Sequence, residues 1–181
     1  DDFYKMINFI GRNNILDADV FYEKFKNNNL KDNEVCLTFD DAIKSQIDIA
    51  LPVLEDLKIK SFFYVYTSIF GEKPNNLEIF RYFRMNYFNS VDEFYTNFYK
   101  VLNKDLNNFF EKKNKNIIEY KHRYSLYSIE DIKFRLVRDN LLTKDEYEKN
   151  MSLMMKEKNF QPKKYYSQLF FDKKDLNQLN S

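Results

Sequence analysis

The stretch Val35-Cys36-Leu37-Thr38-Phe39-Asp40-Asp41 decides how the chain is read. Residues 35–39 form a short apolar run with a β-branched start, and the run stops at two acids, the pattern of a buried strand. Downstream, Ile43, Ile47, Ala50, Leu51, Leu54 and Leu57 recur at helical spacing. Pro52 must then lie in the first turn of a helix, or kink it. Next comes Ser61-Phe62-Phe63-Tyr64-Val65-Tyr66, an aromatic-rich second strand. Strand, helix and strand make a βαβ unit with a right-handed crossover. This places Asp40 and Asp41 at the C-terminal end of a parallel strand, where α/β enzymes keep their chemistry. Adjacent carboxylates there can divide the work, one binding a metal and the other moving a proton. The structural alternative is a helix N-cap after a strand, a place Asp also favours.

Away from this unit the character of the chain changes. Residues 1–34 read as irregular structure with one or two short helices, with Val20, Phe21 and Phe25 on one face and Asn27-Asn28-Asn29 ending the pattern. Residues 77–160 read as helical almost throughout. Ser90-x-x-Glu93, Ser128-x-x-Asp131 and Thr143-x-x-Glu146 have the form of capping boxes. Each precedes an amphipathic run: Phe94, Phe98, Val101 and Leu102; then Ile132, Leu136 and Val137; then Tyr147, Met151 and Met154. Pro162 closes this region. The segment 165–171 reads as a short strand or extended piece, and 172–179 as a helix capped by Asp172.

Composition bounds the function classes. The chain has 181 residues, 44% of them hydrophobic and 18% aromatic, which suits a folded core and not a disordered chain. With only 2 Gly and 3 Pro, a Gly-rich phosphate loop is nearly excluded. The 29 basic and 28 acidic residues nearly cancel, so no nucleic-acid footprint is expected. Cys36 is the single cysteine, which excludes an intrachain disulfide and a Cys-based zinc site. No apolar run is long enough for a transmembrane helix. The start Asp1-Asp2-Phe3-Tyr4 is no signal peptide, so a cytoplasmic location is expected, with the natural N-terminus open.

The order Leu37-Thr38-Phe39-Asp40-Asp41, then Ala50-Leu51-Pro52-Val53-Leu54, then Lys60-Ser61-Phe62-Phe63-Tyr64-Val65 resembles the opening of a polysaccharide deacetylase (NodB-like) domain across residues 33–66. That family shows a T-F-D-D-G motif, an A-L-P-x-L helix and a strand ending F-F-V. The resemblance implies an α/β fold, a partial distorted (β/α) barrel with a large helical insertion. The barrel would start in 1–70, be interrupted at 71–164 and resume at 165–181. It also implies metal-dependent hydrolysis of acetyl groups, chiefly N-acetyl, from a sugar or polysaccharide. Asp40 would be the general base and Asp41 a ligand of a divalent metal, zinc foremost.

Two departures stand out. Ala42 replaces the family's glycine, a cost of about 1 kcal/mol if that position needs positive φ. The family's H-[ST]-x-x-x-H motif, which supplies the other two metal ligands, is absent. The resemblance therefore implies ligands beyond Ser181 and an incomplete chain, inactive by itself. The alternatives are a non-catalytic deacetylase-like module that binds glycan or protein, and a purely helical interaction module in which the acids only cap.

The remaining candidates are weaker. His122 has no histidine partner at helical spacing and reads as a solvated residue. Cys36 reads as a small strand residue. Arg81 and Arg84 suit a phosphate or uronate of a sugar substrate, or salt bridges on a helix face. The Tyr and Phe stripes suit a sugar-stacking platform or, more simply, core. Lys112-Lys113-Asn114-Lys115 reads as a solvated loop.

Overall fold

The N–H of Phe62 donates to the carbonyl of Leu37 at 3.1 Å, and that of Tyr64 to Phe39 at 2.7 Å. These bonds join β1 (Thr38–Phe39) and β2 (Phe62–Phe63) in parallel, with Thr38 opposite Phe62 and Phe39 opposite Phe63. The Phe39 and Phe63 rings stack at 4.7 Å. The structure is a computed structural model and describes residues 2–71 and 76–179. Two compact units emerge: Asp1–Asn75 with Lys164–Ser181, and Asn76–Lys163.

In the first unit, α1 (Asp2–Ile10) and α2 (Ala18–Lys26) precede the sheet. Between them Ile15 bridges Val35 in parallel, which extends the pairing one step. The crossover is one continuous helix that is not α throughout. A π-turn, Gln46–Ala50, leads into α3 (Leu51–Asp56), with Pro52 in the first turn. Proline brings no N–H to a helical ladder, and the wider π-turn precedes it. Ile7, Ile15, Val53, Leu54 and Ile59 form one buried cluster beneath the sheet residues Phe39 and Phe63.

The described residues of the second unit form helices joined by short connections, with no strand. It runs α4 (Leu77–Asn86), α5 (Val91–Leu102), α6 (Leu106–Lys112), α7 (Asn114–Arg123), α8 (Ile129–Leu136) and α9 (Lys144–Glu157). A π-turn, Val137–Leu141, continues α8. The core is aromatic. Phe83, Phe94, Phe98 and Phe134 are fully buried, and Phe134 meets Phe94 and Phe98 edge-on at 5.4 and 5.1 Å, the favoured ring geometry. Met151 and Met154 of the last stripe are buried as well.

The chain then returns to the first unit through a 3-10 turn (Pro162–Tyr165), α10 (Tyr166–Leu169) and α11 (Lys173–Leu179). Asp172 accepts from the N–H groups of Lys174 and Asp175, and Asp175 accepts in return from the N–H of Asp172, so the cap is reciprocal.

The expected partial (β/α) barrel is not what the chain forms. Among the described residues the sheet is one pair of two-residue strands, and most of the rest is helix. A barrel needs long, tilted strands that close on themselves. Here 61–66 pairs over only two residues, and 165–171 winds into helical turns. Pro162 has its φ preset for a first helical turn, which favours winding over extension. What remains of the returning strand is one antiparallel bridge, Ile43 with Phe170.

Candidate functional site

Asp40 follows β1 directly, and the chain there turns through two left-handed residues, Asp41 at φ 70° and Ala42 at φ 50°. Asp tolerates this region; for Ala it is strained. The turn is fixed on both sides. Gln46 donates its side-chain amide to the Asp40 carbonyl, and the N–H of Phe171 donates to the Ala42 carbonyl at 3.0 Å. The Ala42 methyl is buried with Ile47, Leu51 and Phe171. Two residues on, the Lys44 ammonium donates to the buried carboxylate of Asp175 at 2.5 Å. That bond raises the Lys44 pKa above its ordinary value. The Asp40 side chain is exposed and that of Asp41 half-buried. Neither carboxylate has a hydrogen-bond or ion-pair partner among the described residues. The acids are therefore presented by a rigid turn and are not spent on capping the helix that follows.

A catalytic zinc takes three protein ligands and keeps an open position. Among the described residues no group of three His, Cys, Asp or Glu side chains is placed to hold a metal. His122 is exposed in the last turn of α7, in the other unit from Asp41. Cys36 is half-buried, and burial pushes its thiol pKa up, away from a reactive thiolate. The described residues do not build the metal centre that the resemblance implies.

The structure places Arg81 and Arg84 together in a cleft of the second unit, about 420 Å³ in volume. Its charged lining is Arg81, Arg84, Arg135, Arg138 and Asp139, and its aromatic lining includes Phe134 and Tyr147. Three of the four guanidinium groups are answered. Arg81 pairs with Glu78 at 2.8 Å, Arg135 with Asp131 at 2.9 Å, and Arg138 holds Asp139 through two bonds of 2.6 and 2.8 Å. Arg84 differs. Among the described residues its nearest carboxylate oxygen, on Asp131, is 3.8 Å away and its buried Nε has no hydrogen-bond partner; its guanidinium lies 5.6 Å from the Phe134 ring centre.

Asp131 is the hub behind this cleft, accepting from the Tyr95 hydroxyl at 2.7 Å as well as from Arg135. Burial pushes its pKa up, but those two hydrogen bonds and the neighbouring arginines outweigh it and hold the group below its ordinary value. The Tyr147 phenol is pushed up to about 12 by burial, so it stays neutral.

The sequence pointed to Arg81 and Arg84 but missed Arg135 and Arg138. The signal was there: Arg-x-x-Arg recurs in Arg135-Leu136-Val137-Arg138. It also assigned Asp131 to a capping box. The Ser128 hydroxyl does accept from the Asp131 N–H at 3.0 Å, but the carboxylate turns to Tyr95 and Arg135. No protein-family model, no curated protein and no solved structure matches the chain.

Proposed function

We propose that the chain carries the acid pair of a sugar deacetylase, a hydrolase that removes acetyl groups, chiefly N-acetyl, from a sugar or polysaccharide. The observation that supports this reading is the pair of unpartnered carboxylates on a left-handed turn at the C-terminal end of a parallel strand. The glycine that the resembled motif carries falls on Ala42, and a left-handed backbone is what a glycine there serves. In this reading water adds to the acetyl carbon and Asp40 takes its proton. The C–N bond then breaks, and acetate and the protonated amine leave. In this reading Asp41 would be one ligand of a divalent metal, whose other ligands are not among the described residues.

This reading needs metal ligands that the described residues do not hold, so the test is made in the intact enzyme: acetate release from N-acetylglucosamine oligomers with added zinc, alongside zinc binding by calorimetry. Asp40→Asn is expected to lower turnover by about 10²–10⁴-fold, the range of a positioned general base, with zinc binding unchanged. Full turnover in that variant, or an equal loss of zinc, overturns the assignment. A second reading is a deacetylase-like module that binds glycan or protein without turnover. It is favoured by the lack of companion ligands for Asp41 among the described residues. No acetate release and no zinc uptake by the wild-type protein, with retained binding to the oligomers, selects it.

A further inference from the structure

We propose that the cleft lined by Arg81, Arg84 and Arg138 is a binding site for a small organic oxyanion, phosphate or carboxylate, whose charged group is received by Arg84. The proposal is independent of the deacetylase reading, since it rests on other residues and another readout.

Arg84 carries the argument. Its side chain is only 18% exposed, and it makes no hydrogen bond to any described residue. Buried polar groups are nearly always satisfied, and a buried guanidinium nitrogen that is not, here the Arg84 Nε, needs an explanation. Here the neighbouring carboxylates are committed elsewhere. Glu78 pairs with Arg81, Asp139 with Arg138, and Asp131 bonds Arg135 and Tyr95 and only approaches Arg84. One positive charge is left over at the cleft wall. A ligand oxyanion satisfies it, and guanidinium groups match phosphate and carboxylate geometry better than any other side chain.

The surroundings fit a ligand and not merely an ion. The volume lies in the range of small-molecule sites. The π-turn Val137–Leu141 carries both Arg138 and Asp139, and such turns recur at functional sites. A second hollow of about 310 Å³ shares Arg135 and Asp139 with the cleft and is lined by Tyr120, Tyr124 and Tyr127. Tyr120 and Tyr124 are exposed, so the uncharged body of a ligand held at Arg84 has an aromatic surface beside it.

Titration of the intact chain by calorimetry in 150 mM chloride tests this, with inorganic phosphate, glucose 6-phosphate and glucuronate as probes. At least one is expected to bind with millimolar affinity or better. A tighter fit for glucose 6-phosphate than for phosphate shows that the body is contacted, and preference for glucuronate identifies a carboxylate site. Arg84→Met is expected to lose about tenfold or more in affinity, the worth of charge-assisted hydrogen bonds, while keeping the wild-type melting temperature or exceeding it. Arg81→Gln, at a residue 53% exposed and safe for folding, is expected to weaken binding several-fold through the same chemistry. Binding by none of the three probes, or equal binding to wild type and both variants, overturns the site.

Discussion

Lys44 and Asp175 are 131 residues apart in the chain, yet their side chains meet at 2.5 Å. The pair ties the segment that returns after the helical unit to the acid turn after β1. Asp175 also accepts from the N–H of Asp172, so its second oxygen is used. Breaking such a pair strands a charge. Asp175→Asn is expected to cost the first unit about 3 kcal/mol, read as a shift in the urea midpoint. Lys44 has a raised pKa in the folded state, so its contribution is complete below the unfolded value of 10.5 and fades as pH rises through the folded value. The wild-type melting temperature should fall in that alkaline window, and Lys44→Met should remove the fall. An unchanged alkaline limb in Lys44→Met contradicts this.

Ala42 sits where two effects oppose. Its left-handed backbone costs an L-residue roughly 1–2 kcal/mol, which glycine relieves. Glycine in turn gives up a buried methyl, about 0.8 kcal/mol, and adds about 0.5–1 kcal/mol of unfolded-chain freedom. Ala42→Gly should therefore change stability by less than about 1 kcal/mol. Ala42→Val, β-branched at φ 50° in a position 1% exposed, should cost more than about 2 kcal/mol. Chemical denaturation of both variants checks the ordering, and a harmless valine means that the turn is not left-handed.

The capping box at α9 gives an acid-sensitive term. The Thr143 hydroxyl accepts from the Glu146 N–H at 3.2 Å, and Glu146 accepts from the Thr143 N–H and from Lys104, both at 2.8 Å. The Lys104 bond first, then the Thr143 N–H, lower the Glu146 pKa to about 2. A depressed carboxylate stabilises fully above its unfolded value of 4.5 and loses that contribution as pH falls toward 2. Glu146→Gln should lower the melting temperature at pH 7 and make no difference near pH 2. Thr143→Ala should cost about 1 kcal/mol, or about 2–4 °C in melting temperature.

Asp131 is expected to be the most sensitive polar residue of the helical unit. Asp131→Asn removes the charge that Tyr95 and Arg135 donate to and should cost about 1.5–3 kcal/mol. Tyr95→Phe, which deletes one donor, should cost about 1 kcal/mol. A double-mutant cycle with Arg135→Met measures the coupling; additive losses mean that Asp131 is not a shared hub.

Local patterns in the sequence settled a good deal. The helical stripes of Phe94 and Phe98, of Ile132 and Leu136, and of Met151 and Met154 turn inward because period and apolarity agree over several turns. The parallel pairing of Thr38–Phe39 with Phe62–Phe63 was legible because a helix fits between two short apolar runs. Side-chain caps at Ser90, Ser128 and Thr143 follow from chemistry within one turn.

Tertiary structure decided what no local pattern encodes. How many residues of 61–66 find strand partners depends on what lies beside them, and only two do. The segment 165–171 has strand-like composition, but it follows Pro162 and winds, meeting the acid turn at Phe170 and Phe171. The left-handed backbone at Asp41 and Ala42 is held by contacts from residues far along the chain, so an alanine stands where its own preference argues against it. Likewise the surplus charge at Arg84 is invisible in a chain whose acids and bases nearly balance. It exists because distance assigns Glu78, Asp131 and Asp139 to other partners, and pairing is decided by ångströms, not by composition.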